Sequence, residues 1–248
     1  MTLQAVDRGH AGTNRAMTPS AAPFALLDAA EGWGWISLRV PGPTAAFSRR
    51  DTLARGYPEA AAAVRRHGFE PVIRPVGGRL AAYDEGALLV DIVARHRDPR
   101  MGITARFRRF GEAVAAALIN LGVEARLGPV PGEYCPGEFS VNAGGLTKLA
   151  GTAQRLRRDG VLFSAVVLVA NPEPVRAVLS DAYPLLGLTW DPRTVGSVSD
   201  HVLGVTTDEV REALSAELAK VLPVGPIGAT GIWPVGRLIP LQDCWEAS

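Results

Sequence analysis

Two short segments hold the side chains of this 248-residue chain that could carry chemistry. Residues 74–79 have the sequence RPVGGR, in which two adjacent glycines lie between two arginines. Residues 134–155 begin with a cysteine in YCPG and end with a lysine motif, KLAGTAQR. A thiol in a turn, a lysine nearby and glycines that let the backbone approach a ligand are the minimum needed to hold an acyl group and pass it between sulfur and nitrogen nucleophiles.

Cys135 and Lys148 are the candidate catalytic residues. Cys135 is expected in an ordered turn between Tyr134 and Pro136, where a nearby lysine would lower the thiol pKa and favour the reactive thiolate. The alternative is a structural cysteine, since free cysteine is usually a buried apolar residue. Lys148 is the only lysine before Lys220 and lies in an apolar, strand-like context. It could bind a carboxylate or an acyl carbonyl, or simply occupy an exposed strand face.

The candidate substrate-binding residues surround these two. Gly77 and Gly78 would allow close approach of the backbone to a ligand, and Arg74 and Arg79 could neutralise a carboxylate, a phosphate or an acidic partner. The alternative is a hairpin turn with two solvated arginines. The glycine spacing fits neither a P-loop nor a dinucleotide-binding motif. The other candidates follow this turn or lie along the lysine strand: Tyr83, Asp84, Gly151, Thr152 and Gln154.

Strands are predicted on both sides of these motifs. Residues 45–48 are expected to return against residues 33–40, and residues 138–142 to pair with residues 147–157. Other strands are predicted over residues 69–74, 86–95 and 161–169.

Helices are predicted between the strands. The spacing of apolar side chains over residues 107–121 predicts an amphipathic helix ended by Gly122. Thr206 and Glu209 predict a capping box at the start of the last helix. Further helices are predicted over residues 19–30, 58–67 and 172–179. Hairpins alternating with separated helices indicate an α+β fold, with a central, mostly antiparallel mixed sheet flanked by helices.

Composition narrows the functional class. The chain is 47% apolar and 21% charged, with a net charge of +1 and no basic block, which argues against nucleic acid or membrane partners. No apolar run approaches the roughly 18 residues of a membrane span, and the N-terminus lacks a signal-peptide core. Two distant cysteines and four scattered histidines favour a cytoplasmic protein with reduced thiols and no metal site.

Together the motifs resemble those of the biotin/lipoate protein ligase superfamily, in its lipoyl/octanoyl transferase branch. Residues 74–79 resemble the Arg-x-x-Gly-Gly signature, and residues 148–155 resemble the Lys-x-x-Gly-x-x-Gln-Arg signature. The resemblance implies a tunnel for an eight-carbon acyl chain and a lysine that contacts the acyl carbonyl. We expect a flexible leader over residues 1–20, the catalytic domain over 21–222 and a short C-terminal extension over 223–248.

Within this branch, the Cys135 turn resembles that of octanoyl transferases that take octanoate from the glycine cleavage H protein. This implies transfer of an octanoyl or lipoyl group, through a cysteine thioester, to a lysine of a lipoyl domain. The partners would be dehydrogenase E2 subunits, the H protein or an octanoyl-carrier protein, and no cofactor would be required.

Two alternatives stay open at the level of sequence. One is an ATP- and magnesium-dependent lipoate–protein ligase that forms an acyl-adenylate. Four positions depart from the pattern typical of such ligases: Arg79, Tyr83-Asp84, Gly137-Glu138 and Phe163-Ser164. The other alternative is a non-catalytic relative that only binds an acyl group or a lipoyl domain.

Overall fold

The computed structural model describes residues 34–222 and 232–234. The leader and the helix predicted over residues 1–30 lie outside the described residues, as does most of the predicted C-terminal extension. Four α-helices are present in the described part: α1 Tyr57–Arg66, α2 Ile103–Asn120, α3 Glu173–Leu185 and α4 Thr207–Val221. None of the helices described there is long and apolar enough to cross a bilayer.

The described strands, in chain order, are β1 Gly34–Arg39, β2 Thr44–Phe47, β3 Glu70–Ile73, β4 Ala81–Tyr83, β5 Ala87–Arg95, β6 Ala125–Leu127, β7 Val141–Ala143, β8 Thr147–Arg157, β9 Gly160–Leu168 and β10 Ile232–Pro234. Seven of them form an antiparallel main sheet in the order β10-β1-β5-β9-β8-β7-β6. The other three form a small sheet in the order β3-β2-β4, in which β2 runs parallel to β3 and antiparallel to β4. The predicted α+β class is confirmed, and among the described strands only β2 and β3 pair in parallel.

The predicted hairpin between residues 33–40 and 45–48 is wrong. β1 pairs with β5 and β10, whereas β2 belongs to the small sheet. The chain passes from one sheet to the other through Pro41-Gly42-Pro43, where the two prolines lack the N–H groups that a ladder needs. The small residues of β2 are buried in the core formed with α1 and α3.

The main sheet separates two cores, and alternation along β5 shows how. Leu88, Val90 and Ile92 face the core formed with α2 and α4. Leu89 faces the opposite side, towards the small sheet, α1 and α3. Because successive side chains of a strand point to opposite faces, Asp91 also faces the small sheet. The space between this face and the small sheet holds the candidate site.

Several local predictions are confirmed and others are corrected. The capping box of α4 is present, because Thr206 and Glu209 exchange side-chain to backbone hydrogen bonds. The strand predicted from residue 138 begins only at Val141. Residues 138–140 belong instead to the loop between β6 and β7, residues 128–140, which contains Cys135 and which we call the cysteine loop. α3 continues to Leu185 rather than ending at Leu179, and this extra turn carries Tyr183 into the core.

Candidate active site

A cavity of about 380 Å³ lies between the main sheet and the small sheet, and we call it the central cavity. This volume falls in the range of small-molecule sites, roughly 300–1,000 Å³. Its floor is formed by β5, β8 and β9, one wall by residues 74–78, and another by residues 134–140. Nine of the predicted site residues line it: Arg74, Gly77, Gly78, Tyr83, Cys135, Lys148, Gly151, Thr152 and Gln154.

Cys135 lies in the loop between β6 and β7, with a left-handed φ of 43° that is uncommon for a residue other than glycine. Two successive hydrogen bonds through Tyr183 link the Cys135 backbone to Leu80. The Cys135 N–H donates to the Tyr183 hydroxyl at 2.7 Å, and that hydroxyl donates to the Leu80 carbonyl at 2.9 Å. α3 and the residue before β4 therefore fix the backbone from which the thiol projects.

The thiol of Cys135 lies in a positive environment. Arg74 Nη2 and the Arg79 backbone N–H each donate to Sγ at 3.2 Å. Burial by itself raises the pKa of the Cys135 thiol, but the charges of Arg74 and Lys148 and these two hydrogen bonds outweigh it, and the pKa is lowered. The site thus favours the thiolate, which is the nucleophilic form of cysteine.

Gly78 makes the contact between Arg74 Nη2 and Cys135 Sγ possible. Its φ is +100°, and a Cβ placed on it would lie 2.5 Å from Arg74 Nη2 and 2.7 Å from Cys135 Sγ. Any side chain at position 78 would therefore displace the guanidinium or the sulfur. Gly77 has nothing within 4 Å of its Cβ position, so only one glycine of the pair is sterically required.

Lys148 is on β8 and only 2% of its side chain is exposed. Its ammonium donates to the carbonyls of Tyr134 at 3.1 Å and Cys135 at 3.0 Å, and lies 4.7 Å from the centre of the Tyr134 ring. The structure thus brings Cys135 and Lys148 together at one end of the central cavity.

Glu133 completes this cluster, although the sequence analysis did not single it out. Its Oε2 lies 3.1 Å from Lys148 Nζ, and its Oε1 accepts from the Gly137 N–H at 3.1 Å and the Ser140 hydroxyl at 3.0 Å. One buried carboxylate therefore ties the lysine to the part of the loop that follows Cys135. The available signal was an acidic residue two positions before the cysteine, in a loop with a lysine close by.

The other predicted residues on β8 make structural contacts. Thr152 Oγ1 donates to the Phe139 carbonyl at 2.9 Å. Gln154 Nε2 donates to the Ile103 carbonyl at 2.9 Å, and its Oε1 accepts from Arg106 at 2.8 Å. These bonds join the cavity floor to the cysteine loop and to α2.

Asp84 and the side chain of Arg79 do not line the central cavity. The Asp84 carboxylate accepts from the Gly86 N–H at 2.9 Å and so stabilises the turn before β5. The Arg79 guanidinium lies 3.3 Å from the buried Asp51 carboxylate.

Arg79 instead lines a second cavity of about 460 Å³, which we call the arginine cleft. Arg49, Arg50 and Arg74 also line it. Residues 74–78 form a wall of both cavities, so the arginine cleft adjoins the cysteine end of the central cavity.

The cavity floor also contains polar groups that the sequence analysis missed. Asp91 on β5 and Ser164 on β9 are opposite each other in register, and the Ser164 hydroxyl donates to Asp91 Oδ1 at 2.5 Å. Arg39 Nη2 lies 3.5 Å from Asp91 Oδ2. The surrounding floor is apolar: Leu89, Leu162, Ala165 and Val166.

Curated proteins similar to this chain include acyl transferases. An octanoyl-GcvH:protein N-octanoyltransferase of Geobacillus kaustophilus is 28% identical over 144 residues, which cover 58% of this chain and 50% of that protein. A lipoyl-GcvH:protein N-lipoyltransferase of Listeria monocytogenes is 20% identical over 184 residues, covering 73% of this chain and 64% of that protein. The chain spans about half the length of the first of these relatives.

Solved structures show the same fold. Lipoate-protein ligase A bound with ATP superposes with a TM-score of 0.63 at 22% identity, covering 81% of this chain and 78% of that one. A lipoate protein ligase homologue from T. acidophilum with bound lipoic acid gives a TM-score of 0.61 at 22% identity, covering 82% and 81%. The model of one family, the lipoyl protein ligase A/B catalytic domain, matches residues 56–219. Since this match covers more than half of the sequence, the chain belongs to the lipoyl protein ligase A/B catalytic domain family.

Proposed function

We propose that the domain predicted over residues 21–222 transfers an octanoyl or lipoyl group to a lysine of a lipoyl domain, through a thioester on Cys135. One observation carries the proposal: a thiol with a lowered pKa lies beside Lys148 at the end of a cavity of ligand size. Such a thiol can attack an acyl carbonyl and hold the acyl group covalently. The curated relatives described above are transferases of the same acyl groups, which supports the proposal.

In the first step the Cys135 thiolate attacks the carbonyl carbon of the acyl donor. A carbon–sulfur bond forms, the bond from that carbon to the donor nitrogen or sulfur breaks, and the leaving group takes up a proton. In the second step the neutral amine of the acceptor lysine attacks the thioester. A carbon–nitrogen bond forms, the carbon–sulfur bond breaks, the amine loses a proton and the thiolate is restored.

Lys148 and the backbone around the thiol have distinct roles in these steps. Lys148 would stabilise the negative charge that develops on the acyl oxygen by redirecting to it one of the N–H groups now donated to the Tyr134 and Cys135 carbonyls. Such an interaction contributes roughly 10²–10³ in rate per donor in other enzymes. Arg74 and the Arg79 N–H stabilise the thiolate before the first step and again when the second step releases it. Glu133 contacts no substrate in this scheme and acts by positioning Lys148.

For the partners, we propose an octanoylated H protein or acyl-carrier protein as donor and the lipoyl domain of a dehydrogenase E2 subunit as acceptor. A donor of this kind carries its acyl group at the end of a flexible arm. The central cavity would hold the acyl chain while the carrier stays outside.

The proposal is tested by intact-mass analysis of the full-length chain after incubation with octanoyl-H protein or octanoyl-acyl-carrier protein. We expect one added octanoyl group that hydroxylamine removes and that Cys135→Ser abolishes. Cys244→Ser is the matched control and keeps the adduct. Absence of an adduct with either donor, or an adduct that survives Cys135→Ser, contradicts the proposal.

The second candidate is an ATP-dependent lipoate ligase, and the arginine cleft favours it. Guanidinium groups bind phosphate well, and four arginines line a cleft that adjoins the thiol. If ATP binds there, Arg49, Arg50, Arg74 and Arg79 would hold its phosphates, and the nucleotide would supply an activated acyl group. Transfer from free octanoate or lipoate that requires magnesium-ATP and survives Cys135→Ser would establish this route instead.

A further inference from the structure

The polar pair on the cavity floor has no part in the transfer chemistry. Asp91 and Ser164 are on the two central strands β5 and β9, and they line the central cavity together with Arg39 and Tyr83. Only 19% of the Asp91 side chain is exposed, although Leu89 and Val93, its neighbours on the same strand face, are apolar and buried. A carboxylate in such a position costs desolvation free energy, which a polar group of a ligand could offset.

Sheet register places this pair at a defined distance from the cysteine end. Gly151, which is next to Lys148, pairs with Val166 on β9, and Val166 pairs with Leu89 on β5. Asp91 is two residues further along β5. Since adjacent strands are about 4.8 Å apart and each residue rises about 3.4 Å, Asp91 is roughly 12 Å from Gly151 across the floor.

This distance matches the far end of a medium-length acyl chain. With carbon–carbon bonds of about 1.5 Å, an extended eight-carbon chain spans about 9 Å. Its carbonyl must also stand a hydrogen-bond length, about 3 Å, from the Lys148 ammonium. A chain that lies diagonally across β8, β9 and β5 therefore ends at Asp91 and Ser164.

The hydrogen bonds within the pair indicate which group it would accept. The Ser164 proton is already donated to Asp91 Oδ1, so the serine oxygen and the remaining carboxylate lone pairs offer acceptor sites to a ligand. Arg39 Nη2 near Asp91 Oδ2 balances the negative charge, which favours a neutral donor over an ammonium group. A hydroxyl fits this arrangement, since it can donate to the carboxylate and accept from the guanidinium.

We infer that the central cavity is selective for an acyl chain that carries a hydroxyl at or near its far end, in preference to an unsubstituted alkyl chain. That the bound acid is an acyl group for transfer rests on the proposed function. The selectivity itself depends on Asp91 and Ser164. An alkyl terminus would remove the Asp91 carboxylate from water without offering it a hydrogen bond, whereas a hydroxyl would donate a charge-assisted hydrogen bond to it.

Calorimetric titration of the full-length chain with octanoate and with 8-hydroxyoctanoate tests this inference without any chemical step. We expect the hydroxy acid to bind about tenfold more tightly, the effect of one hydrogen bond to a charged group. Asp91→Val and Ser164→Ala are expected to reduce or reverse that ratio. Leu162→Val, on the same floor, is the matched control and should change both affinities in parallel.

Any one of four results overturns the inference: equal affinities for the two acids, tighter binding of octanoate, no binding of either acid, or an affinity ratio that Asp91→Val leaves unchanged. Asp91→Asn, which keeps the shape of the side chain and removes its charge, guards against misfolding of the valine variant and should also lower the ratio. Failure here is separable from failure of the proposed function. An octanoyl adduct on Cys135 with no hydroxyl preference removes only the polar subsite, and a preference without any adduct removes only the transfer reaction.

Discussion

The Lys148 ammonium lies 3.1 Å from the Glu133 carboxylate, and only 2% and 0% of the two side chains are exposed. Withdrawing both charges from water carries a large desolvation cost, which their attraction and accessory hydrogen bonds must offset. Glu133 makes two such bonds, to Gly137 and Ser140, and Lys148 makes two, to the carbonyls of Tyr134 and Cys135. The pair therefore couples the position of the lysine to the conformation of the cysteine loop.

The variant Glu133→Gln should be strongly destabilised, because it leaves a buried ammonium without its counter-charge. The glutamine oxygen can still accept from Gly137 and Ser140, so the loss isolates the charge interaction. We expect the free energy of unfolding to fall by about 3–5 kcal/mol, measured by urea denaturation. The double variant Glu133→Gln with Lys148→Met should recover most of this loss. A double variant as unstable as the sum of the two single variants would contradict the coupling.

Alkylation of Cys135 by iodoacetamide should reach its half-maximal rate at a pH below the ordinary range for a thiol. The chain for this measurement carries Cys244→Ser, so that only Cys135 reacts. Arg74→Gln removes a positive charge and a hydrogen bond from the thiolate, and should therefore raise the pKa and shift the profile to higher pH. Arg66→Gln removes a positive charge at an exposed position on α1 and should leave the pH profile of Cys135 alkylation unchanged. Identical profiles for Arg74→Gln and the parent chain would show that Arg74 does not set the thiol pKa.

Substitution of the two adjacent glycines should have unequal effects. Gly78→Ala forces a Cβ into Arg74 and Cys135 Sγ at a φ of +100°, and we expect a loss of at least about 1–2 kcal/mol in unfolding free energy together with slower alkylation of Cys135. Gly77→Ala meets open space and should change stability by less than about 0.5 kcal/mol. Equal losses for the two variants would disprove the steric argument.

The hydroxyl of Tyr183 should be required for the geometry of the cysteine loop. Tyr183→Phe leaves the Cys135 N–H and the Leu80 carbonyl without their partner, at a cost of about 1–3 kcal/mol for each buried group that is not rehydrated. Urea denaturation measures the loss, and hydrogen exchange at the Cys135 amide reports whether the loop opens. Tyr57→Phe, whose ring packs on Phe47 and keeps that contact, should cost less than about 0.5 kcal/mol. Slow exchange at Cys135 in the Tyr183 variant would contradict this role.

Much of the fold could be predicted from local patterns. The helix over residues 107–121 and the capping box at Thr206 were predictable because their signals lie within one or two turns of chain. The long strands β5, β8 and β9 were predictable for the same reason. The three-residue strands β4 and β6 were not, since such short segments carry no measurable periodicity.

Long-range contacts account for what the sequence analysis missed. Nothing near Tyr183 indicates that its hydroxyl reaches Cys135, 48 positions earlier, and the pairing of β2 depends on a crossing between sheets. Asp91 is different, because a single acid inside the apolar run ALLVDIV is visible in the sequence. Such an interruption of a central strand is a signal that can be used to search for buried polar sites.

The turn at residues 74–78 separates the central cavity from the arginine cleft and is shared by both. A single backbone segment therefore bounds two compartments, and neither can be reshaped through it without altering the other. Changes meant for the arginine cleft alone are better begun at Arg49 and Arg50, which do not line the central cavity. Changes meant for the central cavity alone are better begun on the strands of its floor, which do not line the cleft.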